Sequence, residues 1–230
     1  MTAHVCVFTG AGISVASGLP CYRGGAGLWD GVSPDEVASP MAWQRDPHRV
    51  TRVHNQLRAA LGRADPNEAH LALARLERMA RVDIVTQNID DLHERAGSTV
   101  VTHVHGALTR IRSDRDQNLV SRIGHDRVEP GARAPDGGLW RPDVVWFMEE
   151  PQRLEQAEVI IAACDELWII GTSLSIWPAA ALVHHARRAQ RILLIDPDPC
   201  PPAINQLQII AEPAVEAVPR LVGEIMRSGG

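Results

Sequence analysis

No apolar run in this 230-residue chain approaches the roughly 18 residues that a membrane-spanning helix needs. No secretory leader is visible either, so the expectation is a chain of the cytoplasm with no membrane partner. Aromatic residues are scarce, with one tyrosine and two phenylalanines, which leaves no platform for stacking bases. The formal net charge is −5 and the basic residues are scattered, so no cationic face for nucleic acid is expected. The four cysteines, Cys6, Cys21, Cys164 and Cys200, are widely spaced and lie mostly in apolar contexts, as free thiols in a reducing compartment would. None falls between residues 109 and 140, and no segment repeats. What the chain does have is a 45% hydrophobic composition, enough for a substantial core. Its length fits one large domain or a domain with a small insert.

The organising stretch is Val5-Cys6-Val7-Phe8-Thr9-Gly10-Ala11-Gly12-Ile13-Ser14. An apolar strand breaks into a Gly-x-Gly turn, and Ser14 opens a helix. That order sets backbone N–H groups and the positive end of a helix where a diphosphate can sit, with glycines that let a ligand approach. Alone it is a weak signal, because Val15 replaces the third glycine of the dinucleotide fingerprint. Prolines punctuate 34–63 into short helices, of which 48–61 is the clearest. Asp65-Pro66-Asn67-Glu68 reads as a helix start with Asp65 as the cap. Val82–Thr86, Val100–Val104, Leu167–Ile170 and Ile192–Ile195 read as further strands, alternating with helices over 154–164, 179–186 and 213–227. Pro178 suits the first position of the second of these helices. Residues 109–140 are polar and glycine-rich, like an insert. The pattern predicts an α/β doubly wound, Rossmann-like parallel sheet over 1–24, 65–108 and 141–230, with a smaller inserted module from 25–64 and 109–140.

Four blocks in order carry a resemblance that covers most of the chain. They are Gly10-Ala11-Gly12-Ile13-Ser14 with Ser17–Pro20 and Tyr22-Arg23, Thr86–His93, His105–Leu108, and Gly171–Leu174. Together they resemble the sirtuins, NAD-dependent protein-lysine deacylases, and Arg141–Phe147 is similar to that family's substrate-binding segment. The resemblance implies NAD as cofactor and an acylated-lysine protein or peptide as partner. The matching histidine, His105, deprotonates a ribose hydroxyl in such enzymes, a task suited to an imidazole near neutral pH. In that chemistry the acyl oxygen attacks the nicotinamide ribose and expels nicotinamide. Water then releases lysine and an O-acyl-ADP-ribose.

The resemblance assigns Asn88 to orienting water and ribose, Asp90 to the nicotinamide carboxamide, and Gln87 to the ribose. Gly10, Ala11, Gly12 and Ser14 form the cofactor turn. Tyr22 and Arg23 stand beside it, with Arg23 facing the diphosphate or ordering its loop. Gly171, Thr172 and Ser173 serve the phosphates or the adenosine ribose. Asp196 takes the place of a ribose-binding asparagine, able to accept a hydrogen bond but not to donate one. Val145, Trp146, Phe147 and Met148 form the strip that pairs with the bound peptide.

Three departures from the family pattern carry consequences. The family's structural zinc needs two Cys-x-x-Cys pairs, and here Ser113, Asp116 and Arg133–Asp136 stand in their places, so no zinc is expected. Met148 stands where glycine is usual. Desuccinylase-type relatives bind the acyl carboxylate with a Tyr-x-x-Arg pair, whose counterparts here are His54 and Leu57, so uncharged acyl groups are expected. Met148 and the altered module leave open ADP-ribosyl transfer or NAD hydrolysis, and a non-catalytic NAD or ADP-ribose binder is a third reading. The sequence leaves the oligomeric state undetermined.

Overall fold

The structure is a computed structural model that describes residues 3–20 and 33–228. Tyr22, Arg23, Cys21 and the glycines at 24–27 lie outside the described residues. The chain runs β1 (His4–Thr9), a 3-10 turn (Ala11–Ser17), α1 (Pro34–Val37), α2 (Pro40–Arg45), α3 (Pro47–Leu61) and α4 (Glu68–Leu76). It continues with β2 (Arg81–Thr86), α5 (Leu92–Ala96), β3 (Val101–His103), β4 (Gly106–Ser113), β5 (Val120–Arg122) and β6 (Trp140–Val144). Last come α6 (Leu154–Ala163), β7 (Glu166–Ile170), a second 3-10 stretch (Ala179–His185), β8 (Arg191–Ile195), β9 (Leu207–Ile210) and α7 (Ala214–Ser228).

Six strands form one parallel sheet in the order β3-β2-β1-β7-β8-β9, and β5-β4-β6 form a small antiparallel sheet. Strand order reverses between β1 and β7, so the connections leaving their carboxyl ends run in opposite directions and leave a crevice, the place where open α/β sheets bind ligands. Strand alternation feeds two cores. Val5, Val7, Val82, Ile84 and Ile170 face α4 and α7, while Cys6, Phe8, Leu167 and Ile169 face α6 and the second 3-10 stretch. A third apolar cluster joins α2 and α3 to the small sheet through Trp43, Val50, Leu61, Leu108 and Trp146.

Several local expectations change. The cap of α4 is Asn67, not Asp65: Asn67 Oδ1 accepts the Ala69 N–H at 3.0 Å. Its amide nitrogen donates to the Ile13 carbonyl at 2.8 Å, tying α4 to the glycine turn, whereas Asp65 faces solvent and pairs with Arg95. Pro178 stands one residue before the 3-10 stretch, as its cap. Strands β5 and β9 carry no clear period-2 signal, because Val120, Gln208 and Ile209 are exposed at sheet edges. Strands β4 and β6 also run across the residue 108 and 140 boundaries drawn from composition.

Gly12 and Gly171 meet backbone to backbone. The Gly12 N–H donates to the Gly171 carbonyl at 2.8 Å, and a Cβ built on Gly12 would lie 2.6 Å from Gly171 Cα. Gly12→Ala is therefore expected to destabilise the fold by roughly 2 kcal/mol or more, since neither backbone can move without breaking that bond. Gly223→Ala, in the middle of α7 with its nearest neighbour a flexible Arg227 tip at 3.6 Å, should instead stabilise by about 0.5–1 kcal/mol. Denaturant melts of the two variants check this pair of opposite signs.

Candidate active site

A cleft of about 970 Å³ opens at the carboxyl ends of β1, β2 and β7. It gathers Gly10, Ala11, Gly12, Ser14, Gln87, Asn88, Asp90, His105, Gly171, Thr172, Ser173 and Asp196 on its polar walls. Leu57, Val145, Trp146, Phe147 and Met148 line its other side. Tyr22 and Arg23 fall outside the described residues, so their placement beside the turn stays an expectation.

The turn after β1 does more than leave room for a ligand. Gly10 and Gly12 donate their N–H groups to Ile170 and Gly171 at 3.0 and 2.8 Å, so these amides bridge β1 to β7 and are not free for a phosphate. The helix that follows is a seven-residue 3-10 turn whose first residue has no side-chain cap.

His105 stands just past β3. Its Nδ1 lies 3.0 Å from the Gln87 carbonyl, an acceptor only, so Nδ1 carries the proton and Nε2 presents a bare lone pair. Burial pushes this imidazole below its ordinary value, and the bond to Gln87 offsets only part of that. A neutral ring with one fixed tautomer is a proton acceptor. Around it, Ser14 Oγ donates to Asp90 Oδ2 at 3.0 Å and accepts from Asn88 Nδ2 at 3.3 Å. Burial raises the Asp90 carboxyl, opposed by the Leu92 N–H and the Ser14 hydroxyl. Gln87 spends its Oε1 on the Thr172 hydroxyl at 2.9 Å, while its buried Nε2 has no partner among the described residues. That orphan donor in a glycine-walled cleft fits a ribose oxygen. Thr172 is thus committed internally through its proton, and Ser173 pairs with Ser175 at 2.7 Å. Asp196 turns one carboxyl oxygen back to the Asp198 N–H at 2.9 Å.

The segment Val145–Met148 is anchored along one edge, with Val145 N–H on the His105 carbonyl at 2.9 Å and Phe147 N–H on the Ala38 carbonyl at 3.1 Å. Trp146 is buried beneath it, its ring 3.4 Å from the Arg141 guanidinium carbon. Met148 is 73% exposed at φ +69°, a left-handed backbone that glycine adopts without strain and a methionine rarely does.

His54 does not line the cleft. It is fully buried, its Nδ1 bonds the Val50 carbonyl at 2.9 Å, and it sits in the interior near Arg58 and Arg141 with no room for a water between them. On helix α3 the cleft face is instead Leu57, Ala60 and Leu61, an i, i+3, i+4 stripe that the periodicity of α3 could have revealed, and Ala64 continues the wall just beyond the helix end. Arg63 adds a cation on the same wall. Asp198 and Trp177 also border the cleft without a motif to announce them.

No group of three or more His, Cys, Asp or Glu among the described residues is disposed to hold a metal. At the two zinc-pair positions, Ser113 Oγ donates to Asp136 Oδ2 at 2.6 Å, and Asp136 Oδ1 accepts the Gly138 N–H at 2.9 Å. Both oxygens are occupied and Arg115 stands beside them, so this donor set does not fit zinc.

The architecture defines a class, an α/β crevice protein whose base, amide and carboxylate converge at a sheet switch point. The comparisons place it further. The profile described as the Sir2 family matches residues 10–178, and the chain belongs to that family. It is 43% identical over 224 residues to the NAD-dependent protein deacylase of Helicobacter pylori J99, covering 97% of this chain and 95% of that one. The NAD-dependent protein deacylase 2 of Pyrobaculum aerophilum is 40% identical, covering 97% and 92%. Among solved structures, a Sir2 homolog–NAD complex superposes with a TM-score of 0.89 at 34% identity, covering 100% of this chain and 91% of that one.

Two pH effects follow. The His105 ring should lose its proton below pH 6.5, because burial depresses it from that value; an NMR titration of the imidazole checks it. His54 and His70 are each held at about 4 by burial, against 6.5 in the unfolded chain. The unfolded chain then takes up protons first on acidification. Stability should be full above pH 7 and fall between about 6.5 and 4, by up to ~1.4 kcal/mol per pH unit per ring. Urea melts at pH 7 and pH 5 measure it.

Proposed function

We propose that this chain is an NAD-dependent protein-lysine deacylase of the cytoplasm that prefers uncharged acyl groups and yields nicotinamide, O-acyl-ADP-ribose and free lysine. The observation that carries the reading is His105 with its proton fixed on Nδ1 and its bare Nε2 in the cleft beside Asn88 and Asp90. The names of the relatives point the same way.

The residues present fit NAD, through the unpartnered Gln87 Nε2 and the glycine-walled crevice. Bound NAD supplies an electrophilic ribose carbon with nicotinamide as its leaving group. His105 Nε2 takes the proton of the ribose hydroxyl, and Asn88 aims its amide at ribose and water. Asp90 receives the carboxamide of nicotinamide. The strip Val145–Met148 aligns the peptide, and Leu57 with Ala60 and Ala64 walls the acyl chain in hydrocarbon. A non-catalytic binder has no use for such a base. ADP-ribosyl transfer or NAD hydrolysis is the second reading, favoured by Met148, whose exposed side chain stands at the lip where the peptide must lie.

The proposal includes a zinc-free small module built from 25–64 and 109–140 on the Rossmann-like remainder, its cross-link the Ser113–Asp136 hydrogen bond. Elemental analysis should find less than one zinc per chain, and a chelator should leave the melting temperature unchanged.

His105→Ala should lower deacylation by about 10²–10⁴-fold while NAD still binds. Mass spectrometry of acyl-peptide reactions reads this through O-acyl-ADP-ribose, and turnover at the wild-type rate would remove the assignment. For the acyl group, kcat/KM should rank acetyl and butyryl above succinyl, since burying an unpaired carboxylate costs several kcal/mol. Arg58 cannot supply the cation, because it is buried, bonds the Leu108 carbonyl and Asn55, and does not line the cleft. Succinyl in the lead would indicate Arg63, and Arg63→Ala would then abolish that lead.

A further inference from the structure

Asn88 is held by its backbone more firmly than by its side chain. Its amide nitrogen makes a long bond, 3.3 Å, to Ser14 Oγ. Its peptide groups make shorter ones. The Asn88 N–H donates to Thr86 Oγ1 at 3.0 Å, and the Asn88 carbonyl accepts from His103 Nδ1 at 2.9 Å.

Each of those partners is itself fixed from behind. Thr9 Oγ1 donates to Thr86 Oγ1 at 2.8 Å, and His93 Nε2 lies 3.1 Å from Thr9 Oγ1. The single hydroxyl proton of Thr9 is spent on Thr86, so His93 must donate from Nε2. Its Nδ1 is then bare, and Nδ1 is indeed buried without a partner among the described residues. Thr9 and Thr86 are fully buried, so water cannot substitute for a lost hydroxyl. On the opposite side, His103 Nε2 reaches Glu94 Oε1 at 2.8 Å, so the ring is braced between a carbonyl on one edge and a carboxylate on the other.

We propose that Thr86 and His103 are positioning residues for Asn88. They clamp its peptide from both sides, through a buried His93–Thr9–Thr86 chain and a Glu94–His103 brace, and thereby aim its side-chain amide. The inference rests on the reading of Asn88 as a working group of the site. Neither residue touches a substrate; each acts on the orientation of the amide that does. Strands β1, β2 and β3 each contribute one member of the clamp, so the parallel register itself sets the aim.

The test uses Thr86→Val, which keeps shape and loses the hydroxyl, and Thr86→Ser, which keeps the hydroxyl. His103→Phe and His103→Gln form the matching pair. Thr86→Val and His103→Phe should each lower kcat by about tenfold while the peptide KM stays within about twofold, because misaiming a group affects the transition state more than ground-state binding. Thr86→Ser and His103→Gln should recover most of the rate. In an Asn88→Ala background, Thr86→Val should cause no further loss of the residual rate. Thr86→Val at the wild-type kcat overturns the inference. So does an equal loss in the Asn88→Ala background, or Thr86→Ser as slow as Thr86→Val. If Thr86→Val does not fold, the His103 pair decides on the same criteria. Asn88→Ala at full activity would instead overturn the reading of Asn88 and this inference with it, whereas an inactive Asn88→Ala beside unimpaired clamp variants overturns the clamp alone.

Discussion

The site depends on one contact, the meeting of two glycine turns at the point where the sheet changes direction. Gly10 and Gly12 donate to Ile170 and Gly171, and Gly171 donates in turn to Ile195, so three strand ends are laced by main-chain hydrogen bonds. Side chains are excluded there, because a Cβ on Gly10 or Gly12 would press within 2.8 Å of the Gly171–Thr172 backbone or side chain. With the turns locked, the cleft floor is rigid and polar groups from β1, β2 and β7 hold fixed positions around it. A sequence reading of these glycines as room for a ligand found the right place for an incomplete reason. Their first task is to let two backbones touch.

Much of the fold was legible because the strands are buried on both faces. Val5–Thr9, Ile84–Thr86 and Leu167–Ile170 are apolar enough to read as parallel strands, and their spacing by helices gives the doubly wound order. What escaped was short or half exposed. Strand β9 lies at an edge and β5 is three residues long, so neither needed a hydrophobic pattern. The α4 cap was misread because Asp65-Pro66 and Asn67-Glu68 both resemble helix starts. Only the tertiary bonds of Asn67 to Ile13 and Ser17 decide between them.

The lining of the cleft was legible where a motif leaves a strand end, as at His105, Asn88 and Asp90, each on the loop or strand end that opens into the cleft. It was less legible on α3. Counting by motif placed His54 in the acyl wall, whereas the helix turns His54 inward against Trp146, with ring centroids 6.1 Å apart, and presents Leu57 to the cleft. Two positions three residues apart share a face only loosely, about 60° off alignment on a 3.6-residue period. That angle is enough to put one in the core and the other in the wall.

All 23 basic residues are arginine, and the sequence contains no lysine. This bears directly on how the segment Val145–Met148 is held. Arg141 bonds Glu149 with both terminal nitrogens, at 2.7 and 3.0 Å, reaches the Val144 carbonyl at 3.1 Å, and lays its plane over Trp146. Glu149 in turn accepts the Trp146 N–H at 2.9 Å, closing a loop around the strip next to His105. An ammonium could make one of these contacts strongly, but it has no planar fork to divide among a carboxylate, a carbonyl and an indole face. The same absence has a second consequence under the proposed function. A lysine deacylase built only on guanidinium offers its own cleft no side-chain substrate. Acylating agents that neutralise lysine would also leave the Arg141–Glu149 loop, and with it the alignment of the strip, intact.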